Sequence, residues 1–281
     1  MLSYLLPALY ALFAWWFSTG LVMYLDGLPQ RTFRWSMAGA TALLAASLYG
    51  LAASAADASV FGAFAAFTWG LLAWAWLEMG FYTGYVTGPR KHACREGCRG
   101  WRHFGHAIMV SLWHEVAILA CAAAVVWATW GGANQVGLWT FVTLWWMHQS
   151  ARLNVFLGVR NLNAEFLPGH LAYLRSFLRK RRMNPLFPVS VAVSTAVLAW
   201  LVARAAAADA GSDAGAFEAA GYSLLAALMA LAILEHWFLV LPLPTAALWS
   251  WGLRSRAPGV EPARVELARV ELARRAGETA A

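Results

Sequence analysis

The sequence predicts an all-α integral membrane protein, a bundle of about seven transmembrane helices. Hydrophobic residues make up 61% of the 281 residues and charged residues only 12%, whereas soluble domains carry about 25% charged residues. The mean hydropathy is +0.55. The apolar residues also fall in seven continuous stretches, each with the roughly 20 residues that a helix needs to cross the hydrocarbon core.

The seven predicted spans use most of the chain. The N-terminal stretch lacks a basic segment and a small-residue cleavage site, so we expect a first span and not a cleaved signal. The third and fourth stretches exceed the length that a span needs, which indicates tilted helices or protruding ends. The predicted spans are Ser3–Leu25, Trp35–Ala55, Val60–Thr87, Trp101–Trp130, Val136–Leu157, Leu186–Ala206 and Phe217–Leu241.

The distribution of positive charge orients these spans. With seven spans, every Lys and Arg except Arg204 lies on one side of the membrane, and Asp209, Asp213 and Glu218 accompany Arg204 on the other. Cytoplasmic loops carry the Lys and Arg excess in membrane proteins. The sequence therefore predicts a periplasmic N-terminus and a cytoplasmic C-terminus. The net charge of +7 reflects this topology, and we expect no nucleic-acid partner.

Two segments outside the spans have patterns of their own. After the fifth span, Leu171, Leu174 and Phe177 recur at helical spacing before a basic run, which predicts a short helix on the inner membrane surface. The C-terminal tail repeats the pentapeptide ARVEL, a period that matches no helical seam. We therefore divide the chain into a transmembrane domain, residues 1–253, and a charged cytoplasmic tail, residues 254–281, that is partly helical or disordered.

Six acidic and histidine side chains lie deep inside the predicted spans, away from the span ends, where titratable groups are costly unless they face the protein interior. At a rise of about 1.5 Å per residue, all six fall between the middle of the membrane and its inner side. The third, fourth, fifth and seventh spans are therefore expected to share a polar chamber that opens inward. The candidate site residues are Glu78, His114, Glu115, His148, Glu235 and His236.

The residue types leave three interpretations of this chamber open. Adjacent side chains such as His114 and Glu115 diverge by about 100° on a helix, unlike the Glu-x-x-His spacing of dinuclear metal sites. The first interpretation is a site for a tetrapyrrole or a lipid headgroup, in which a single His per helix could ligate the metal of the tetrapyrrole, with glutamates behind it. Metal or proton-handling catalysis is the second interpretation. Hydrogen bonds that only stabilise the bundle are the third, and they are the commonest use of such groups.

The predicted inner loop KHACREGCRG contains His92, Cys94 and Cys98. A structural zinc site requires four ligands, commonly with two residues between cysteines, and here three potential ligands stand at other spacings. We therefore expect no metal site. Cys121 lies in a span, where packing is its expected role. No phosphate-binding loop, dinucleotide-binding motif or hydrolase elbow is present.

Three stretches of the sequence resemble the PuhE family. They are YALFAWWFSTGLVMYLDGLPQRTFRWSM (Tyr10–Met37), NVFLGVRNLNAEFLPGHLAYLRSF (Asn154–Phe177) and NPLFPVSV (Asn184–Val191). PuhE proteins are photosynthetic complex assembly proteins of purple bacteria, encoded in the puh gene cluster beside the gene for the reaction-centre H subunit. The resemblance runs from about residue 3 to residue 253 and excludes the ARVEL tail.

The resemblance implies a multi-pass protein of the bacterial inner membrane or the intracytoplasmic photosynthetic membrane. It would support bacteriochlorophyll supply or assembly of the reaction centre and core antenna. The implied cofactor is bacteriochlorophyll or a related tetrapyrrole. The implied partners are membrane lipids, reaction-centre or core-antenna subunits and other assembly factors. The family supplies no catalytic residues, so an assembly role is favoured over an enzyme.

Two other functions stay open beside assembly. The first alternative is a membrane enzyme of tetrapyrrole or lipid metabolism that uses a Glu/His metal or acid–base site. A transporter of pigment precursors or protons is the weaker alternative, because the chain shows no internal repeat of the kind common in transporters.

Overall fold

The computed structural model describes residues 2–95, 97–162 and 166–256, and its regular structure is helical. Within these ranges there is no β-sheet, which confirms the predicted all-α class. Short 3-10 helices follow α1, α6 and α8. The α-helices are α1 (Leu2–Asp26), α2 (Phe33–Ser54), α3 (Val60–Tyr82), α4 (Gly100–Met109), α5 (Leu112–Ala128), α6 (Val136–Leu157), α7 (Leu186–Ala207) and α8 (Asp213–Phe238).

Most of these helices have the length and composition of membrane spans. Helices α1, α2, α3, α7 and α8 are each long and apolar enough to cross a membrane, and α4 with α5 makes a sixth candidate when counted as one bent span. Helix α6 has the bounds of the predicted fifth span. The polar residues of its C-terminal half lower its hydropathy, so α6 does not qualify as a span by composition.

Helices α3 and α8 form the centre of the bundle. Helix α3 packs against α1, α2, α5, α6 and α8, and α8 packs against α1, α3, α6 and α7. Phe67 and Leu71 of α3 meet Leu224 and Leu228 of α8 in one buried cluster. Both helices are apolar around most of their circumference, as expected for helices that neighbours surround.

The contact between α3 and α6 depends on two glycines. A Cβ atom on Gly70 would lie 2.5 Å from the carbonyl oxygen of Gly137. A Cβ atom on Gly137 would lie 2.7 Å from the carbonyl oxygen of Ala66. Small residues at helix crossings let the two backbones approach closely. The absence of a side chain at both positions therefore brings α3 and α6 into direct backbone contact.

The predicted fourth span, Trp101–Trp130, is not one helix. Helix α4 ends at Met109, α5 begins at Leu112, and the two are bent by 58° at this break. The predicted third span also overshoots, because α3 ends at Tyr82 and not at Thr87. The two corrections are linked, since the residues that follow α3 occupy the break.

Residues 87–90 supply the hydrogen bonds that the break would otherwise lack. The amide of Arg90 donates to the carbonyl of Met109 at 3.2 Å, and the amide of His114 donates to the carbonyl of Thr87 at 2.9 Å. A Cβ atom on Gly88 would lie 2.2 Å from the Met109 oxygen. Helix ends require partners for their free amides and carbonyls, and non-helical backbone at membrane depth is tolerated where protein covers it.

A 3-10 helix, Gly169–Phe177, occupies the position predicted for a helix on the membrane surface. A short helix is thus present where the sequence predicts one, but the expectation that its apolar side faces the membrane is wrong. Leu171, Leu174 and Phe177 are buried in one cluster with Val110, at the break between α4 and α5. The apolar side of this segment therefore packs on protein and not on lipid.

The C-terminal end of the described chain returns to α1. The guanidinium of Arg256 donates from Nε to the buried carboxylate of Asp26 at 3.1 Å. A Cβ atom on Gly252 would lie 2.4 Å from the carbonyl oxygen of Gly20. The ARVEL repeats lie outside the described residues, and the division of the chain at residue 253 stays a prediction.

We expect Gly137→Ala to lower the free energy of unfolding by about 1–3 kcal/mol, because the new methyl group must push apart α3 and α6. Thermal unfolding of the detergent-purified protein measures this change. Gly39→Ala is the matched control, since a Cβ atom on Gly39 of α2 meets nothing within 4 Å and alanine favours the helix by up to about 1 kcal/mol. Equal melting temperatures for the two variants would contradict the close contact.

Candidate functional site

A cavity of about 400 Å³ lies among the C-terminal halves of α1, α3, α6 and α8. Most of its surface is apolar, and residues that follow α6 and α8 contribute to its wall. Its volume falls in the range of about 300–1,000 Å³ that is typical of small-molecule pockets. Its polar and aromatic lining includes Trp15, Trp74, Glu78, Tyr82, His148, Glu235 and Trp249.

The carboxylate of Glu78 and the imidazole of His148 lie next to each other on the cavity wall. Glu78 Oε1 lies 3.3 Å from His148 Nδ1, and each side chain is only about one fifth exposed. The edge of Trp74 packs on the imidazole, with 5.3 Å between ring centroids. Nε2 of His148 is buried and has no hydrogen-bond partner among the described residues. Nδ1 thus lies beside a carboxylate, in a contact whose angles are not those of a hydrogen bond, since Glu78 Oε1 is also without a hydrogen-bond partner among the described residues.

His114 lies next to His148 but does not line the cavity. Its side chain is fully buried, and its ring is 5.6 Å from that of His148 and 4.8 Å from that of Phe81. Neither ring nitrogen has a partner in the described part of the chain. A buried polar group without a partner costs about 1–3 kcal/mol. Three ring nitrogens of the two histidines therefore lie buried without a hydrogen-bond partner among the described residues.

Glu115 points away from His114 and joins α5 to α6. Its carboxylate accepts hydrogen bonds from the guanidinium of Arg152 and the amide of Gln149. Nη2 of Arg152 donates to the hydroxyl of Ser111 at 2.6 Å. Glu115 and Arg152 are each about 30% exposed. In this group of four side chains the negative charge of Glu115 and the positive charge of Arg152 balance each other. We call the group the clasp, because it joins two helices.

Glu235 and His236 also diverge. Glu235 lines the cavity and accepts a hydrogen bond from Nε1 of Trp15 at 3.0 Å. His236 is buried, with Nδ1 2.9 Å from the carbonyl of Ala232 and Nε2 2.9 Å from the hydroxyl of Ser150. Nδ1 therefore donates to the carbonyl and Nε2 accepts from the hydroxyl. Both nitrogens of His236 are satisfied, which is a structural role.

The structure thus divides the six predicted site residues. Glu78, His148 and Glu235 line one cavity, and His114 borders it behind His148. Glu115 and His236 make interhelical hydrogen bonds elsewhere.

The contribution of α1 to the cavity wall is not among the features predicted from the sequence. Trp15, Ser18, Thr19 and Val22 all line the cavity. Their spacing of three and four residues places them on one face of a helix. This spacing is the sequence feature from which the contribution of α1 could have been predicted.

The cavity residues do not form a metal cluster. Among the residues that the structure describes, one group of three or more His, Cys, Asp and Glu side chains has donor atoms within 4.8 Å of one another, and it is Cys94, Cys98 and His106. In the sequence the two cysteines stand beside His92, and their spacing predicts no metal site. The structure instead brings His106 of α4 to the two thiols.

Helices of membrane-spanning length around a mostly apolar cavity with a partly buried Glu–His pair are consistent with a multi-pass membrane protein that has a cavity of small-molecule size. The chain belongs to the family described as "Protein of unknown function (DUF3623)", which matches residues 1–259. A relative from Rhodobacter capsulatus, the "Uncharacterized 30.4 kDa protein in puhA 5'region", is 42% identical over 254 residues, or 89% of this chain and 91% of the relative. No solved structure matches the chain.

We expect the clasp between Glu115 and Arg152 to show a coupling energy of about 1–3 kcal/mol in a double-mutant cycle. Either Glu115→Gln or Arg152→Gln alone leaves one charge without its partner in a half-buried site, which is costly. The double variant removes both charges and should recover part of the lost stability. Thermal unfolding of the four proteins measures the cycle, and strictly additive losses would show that the pair contributes nothing.

Proposed function

We propose that this protein supports assembly of bacterial photosynthetic complexes by holding bacteriochlorophyll, or a related metal tetrapyrrole, in the cavity among α1, α3, α6 and α8. Two lines of support concern the biological context. The relative from Rhodobacter capsulatus is named for its position in the puhA 5' region. The sequence also resembles PuhE proteins, whose genes lie beside the gene for the reaction-centre H subunit. We therefore propose that the family and PuhE are the same.

The observation that carries the proposal is the arrangement of His148. Its Nδ1 faces the carboxylate of Glu78 at 3.3 Å, and its Nε2 has no partner in the described part of the chain. Histidines that ligate metals usually donate their other nitrogen to a carboxylate or carbonyl, which orients the ring and makes the ligating nitrogen more basic. His148 has a carboxylate beside Nδ1 and an unpartnered Nε2, and a small rotation of either side chain would complete this arrangement. His148 would hold the central magnesium of the pigment through Nε2.

The rest of the cavity suits a flat, largely apolar molecule. Trp15, Trp74 and Trp249 supply broad aromatic surfaces to its lining, and aromatic rings favour offset stacking or edge contacts with other rings. Glu235, held by Trp15 at 3.0 Å, provides a second polar group. A few polar groups in an apolar wall are typical of sites that orient a ligand. A long hydrocarbon tail would leave through the open side of the cavity.

We expect the protein, purified in mild detergent, to bind bacteriochlorophyll a with one pigment per chain. His148→Leu should weaken binding by more than tenfold, because it removes the only proposed ligand atom to the metal. The absorption spectrum and a titration measure both values. His236→Gln is the matched control, since it also replaces a buried histidine but lies off the cavity wall.

Equal binding by the wild type and His148→Leu would contradict the proposed ligand. The assembly role has a separate readout in the cells that make the complex. There, His148→Leu at an unchanged level of this protein should lower the amount of assembled reaction-centre core complex. Normal amounts of the complex would contradict the assembly role, and the subunits that co-purify with the wild type would identify its partners.

We also propose seven spans, a periplasmic N-terminus and a cytoplasmic C-terminus, in the inner or intracytoplasmic photosynthetic membrane. Helix α6 completes the count, because its 22 residues are about 33 Å long. Polar side chains near its C-terminal end have protein partners, such as Ser150 with His236 and Arg152 with Glu115. With seven spans, nearly all Lys and Arg residues lie on one side, as the positive-inside rule requires.

A membrane-impermeant maleimide tests this topology in a variant without the three native cysteines. Cysteine at exposed position 210, between α7 and α8, should react from the periplasmic side. Cysteine at exposed position 93, between α3 and α4, should react only after the membrane is opened. Reaction of both cysteines from the same side would contradict the proposed orientation.

A membrane enzyme of tetrapyrrole or lipid metabolism is the second candidate function. The observation that favours it is the same buried Glu78–His148 contact, since a carboxylate that orients an imidazole is also the arrangement of a general base. Glu78→Gln distinguishes the two. Under the assembly proposal the variant should bind pigment about 10–100-fold more weakly, because the carboxylate beside His148 is lost, and the wild type should show no turnover. Turnover of a bound tetrapyrrole or lipid by the wild type, lost in Glu78→Gln, would favour the enzyme.

A further inference from the structure

We propose that Cys94, Cys98 and His106 bind one zinc ion, with a water molecule in the fourth position. The site lies in the segment between α3 and α4 and on α4 itself, apart from the cavity. It does not depend on the proposed pigment-binding function. Two thiolates and one imidazole are ligands that zinc prefers, and zinc sites that keep a water in the fourth position, as catalytic sites do, have three protein ligands.

The distances between the donor atoms match a tetrahedral zinc site. Sγ of Cys94 lies 3.5 Å from Nδ1 of His106, and Sγ of Cys98 lies 3.4 Å from the same nitrogen. Zinc bonds of about 2.3 Å to sulfur and 2.0–2.1 Å to nitrogen, at the tetrahedral angle, separate sulfur and nitrogen by roughly 3.6 Å. The three donor atoms also lie within 4.8 Å of one another. An ion fits with little movement of the side chains.

The backbone already holds the three ligands in this arrangement. The amide of Cys94 donates to the hydroxyl of Ser176 at 2.9 Å, which ties the segment to the neighbouring 3-10 helix. Gly97 has φ +76°, a left-handed conformation that favours glycine. This turn brings Cys98 back towards Cys94. His106 is fixed on α4, so its ring faces both thiols from a regular helix.

The two thiols lie in a basic segment. Arg90, Lys91, Arg95 and Arg99 belong to the same segment. Binding releases the two thiol protons. Two thiolates and one Zn²⁺ have no net charge together, so the ion adds no positive charge to a segment that is already basic.

Zinc would connect the segment after α3 to α4, beside the break that precedes α5. The amide of Arg90 already bonds to the last residue of α4, and Val110 at the break packs with Leu171 and Phe177. The ion would add a crosslink to these contacts. We therefore expect the site to hold the bend between α4 and α5 in place.

Metal analysis of the full chain, purified in detergent under reducing conditions, tests the proposal. We expect one zinc ion per chain after dialysis against a zinc-containing buffer. Cobalt bound to the metal-free protein should give the intense near-ultraviolet absorption of a thiolate complex, and zinc should displace it. Cys94→Ser, Cys98→Ser and His106→Gln should each weaken zinc binding by at least about 100-fold, beyond the effect of most groups that only support a ligand.

Cys121→Ser is the matched control, because Cys121 is a buried thiol of α5 outside the group, and this variant should bind zinc like the wild type. The cobalt spectrum of the wild type keeps the test decisive even where a ligand variant fails to fold. Wild-type protein without cobalt–thiolate absorption or without zinc would overturn the proposal. Equal loss of zinc in Cys121→Ser would also overturn it, as would a Cys94–Cys98 disulfide whose reduction restores no metal binding.

Discussion

The close contact of α3 with α6 is the constraint on which the candidate site depends. Gly70 and Gly137 let the two backbones touch, and that contact sets the register of the two helices. Glu78 lies about two turns beyond Gly70 and His148 about three turns beyond Gly137. The register therefore brings the carboxylate to the imidazole. Glu235 of the central helix α8 joins the same wall, so the cavity follows from how the central helices pack.

The segment after α3 has a second, separate influence on the bundle. Residues 87–90 insert between α4 and α5. They form backbone hydrogen bonds with the C-terminal end of α4 and the N-terminal end of α5. The bend of 58° turns α5 so that His114, in its first turn, meets His148. The next residues of the same segment carry Cys94 and Cys98. One connection thus shapes the wall behind the cavity and assembles the cluster of two thiols and an imidazole.

The buried polar side chains serve two different purposes. Glu115 and His236 have their hydrogen-bonding capacity met by neighbouring helices, and such groups give a bundle a specific arrangement. Nε2 of His148 and both nitrogens of His114 have no partner among the residues that the structure describes. Unmet buried polar groups are rare in folded proteins because they cost free energy. The contrast separates structural groups from the site, although the sequence places all of these residues in the same half of the predicted spans.

The sequence by itself determined the helical class and most helix bounds. The predicted fifth span coincides with α6, and the sixth differs from α7 by one residue, because hydropathy along a helix is a local property. The sequence also indicated six candidate site residues. Only the tertiary structure decided which of them face the cavity, since that depends on the rotation of each helix against its neighbours. It also decided the break after Met109 and the choice of His106 over His92, because both depend on a segment that folds back from elsewhere in the chain.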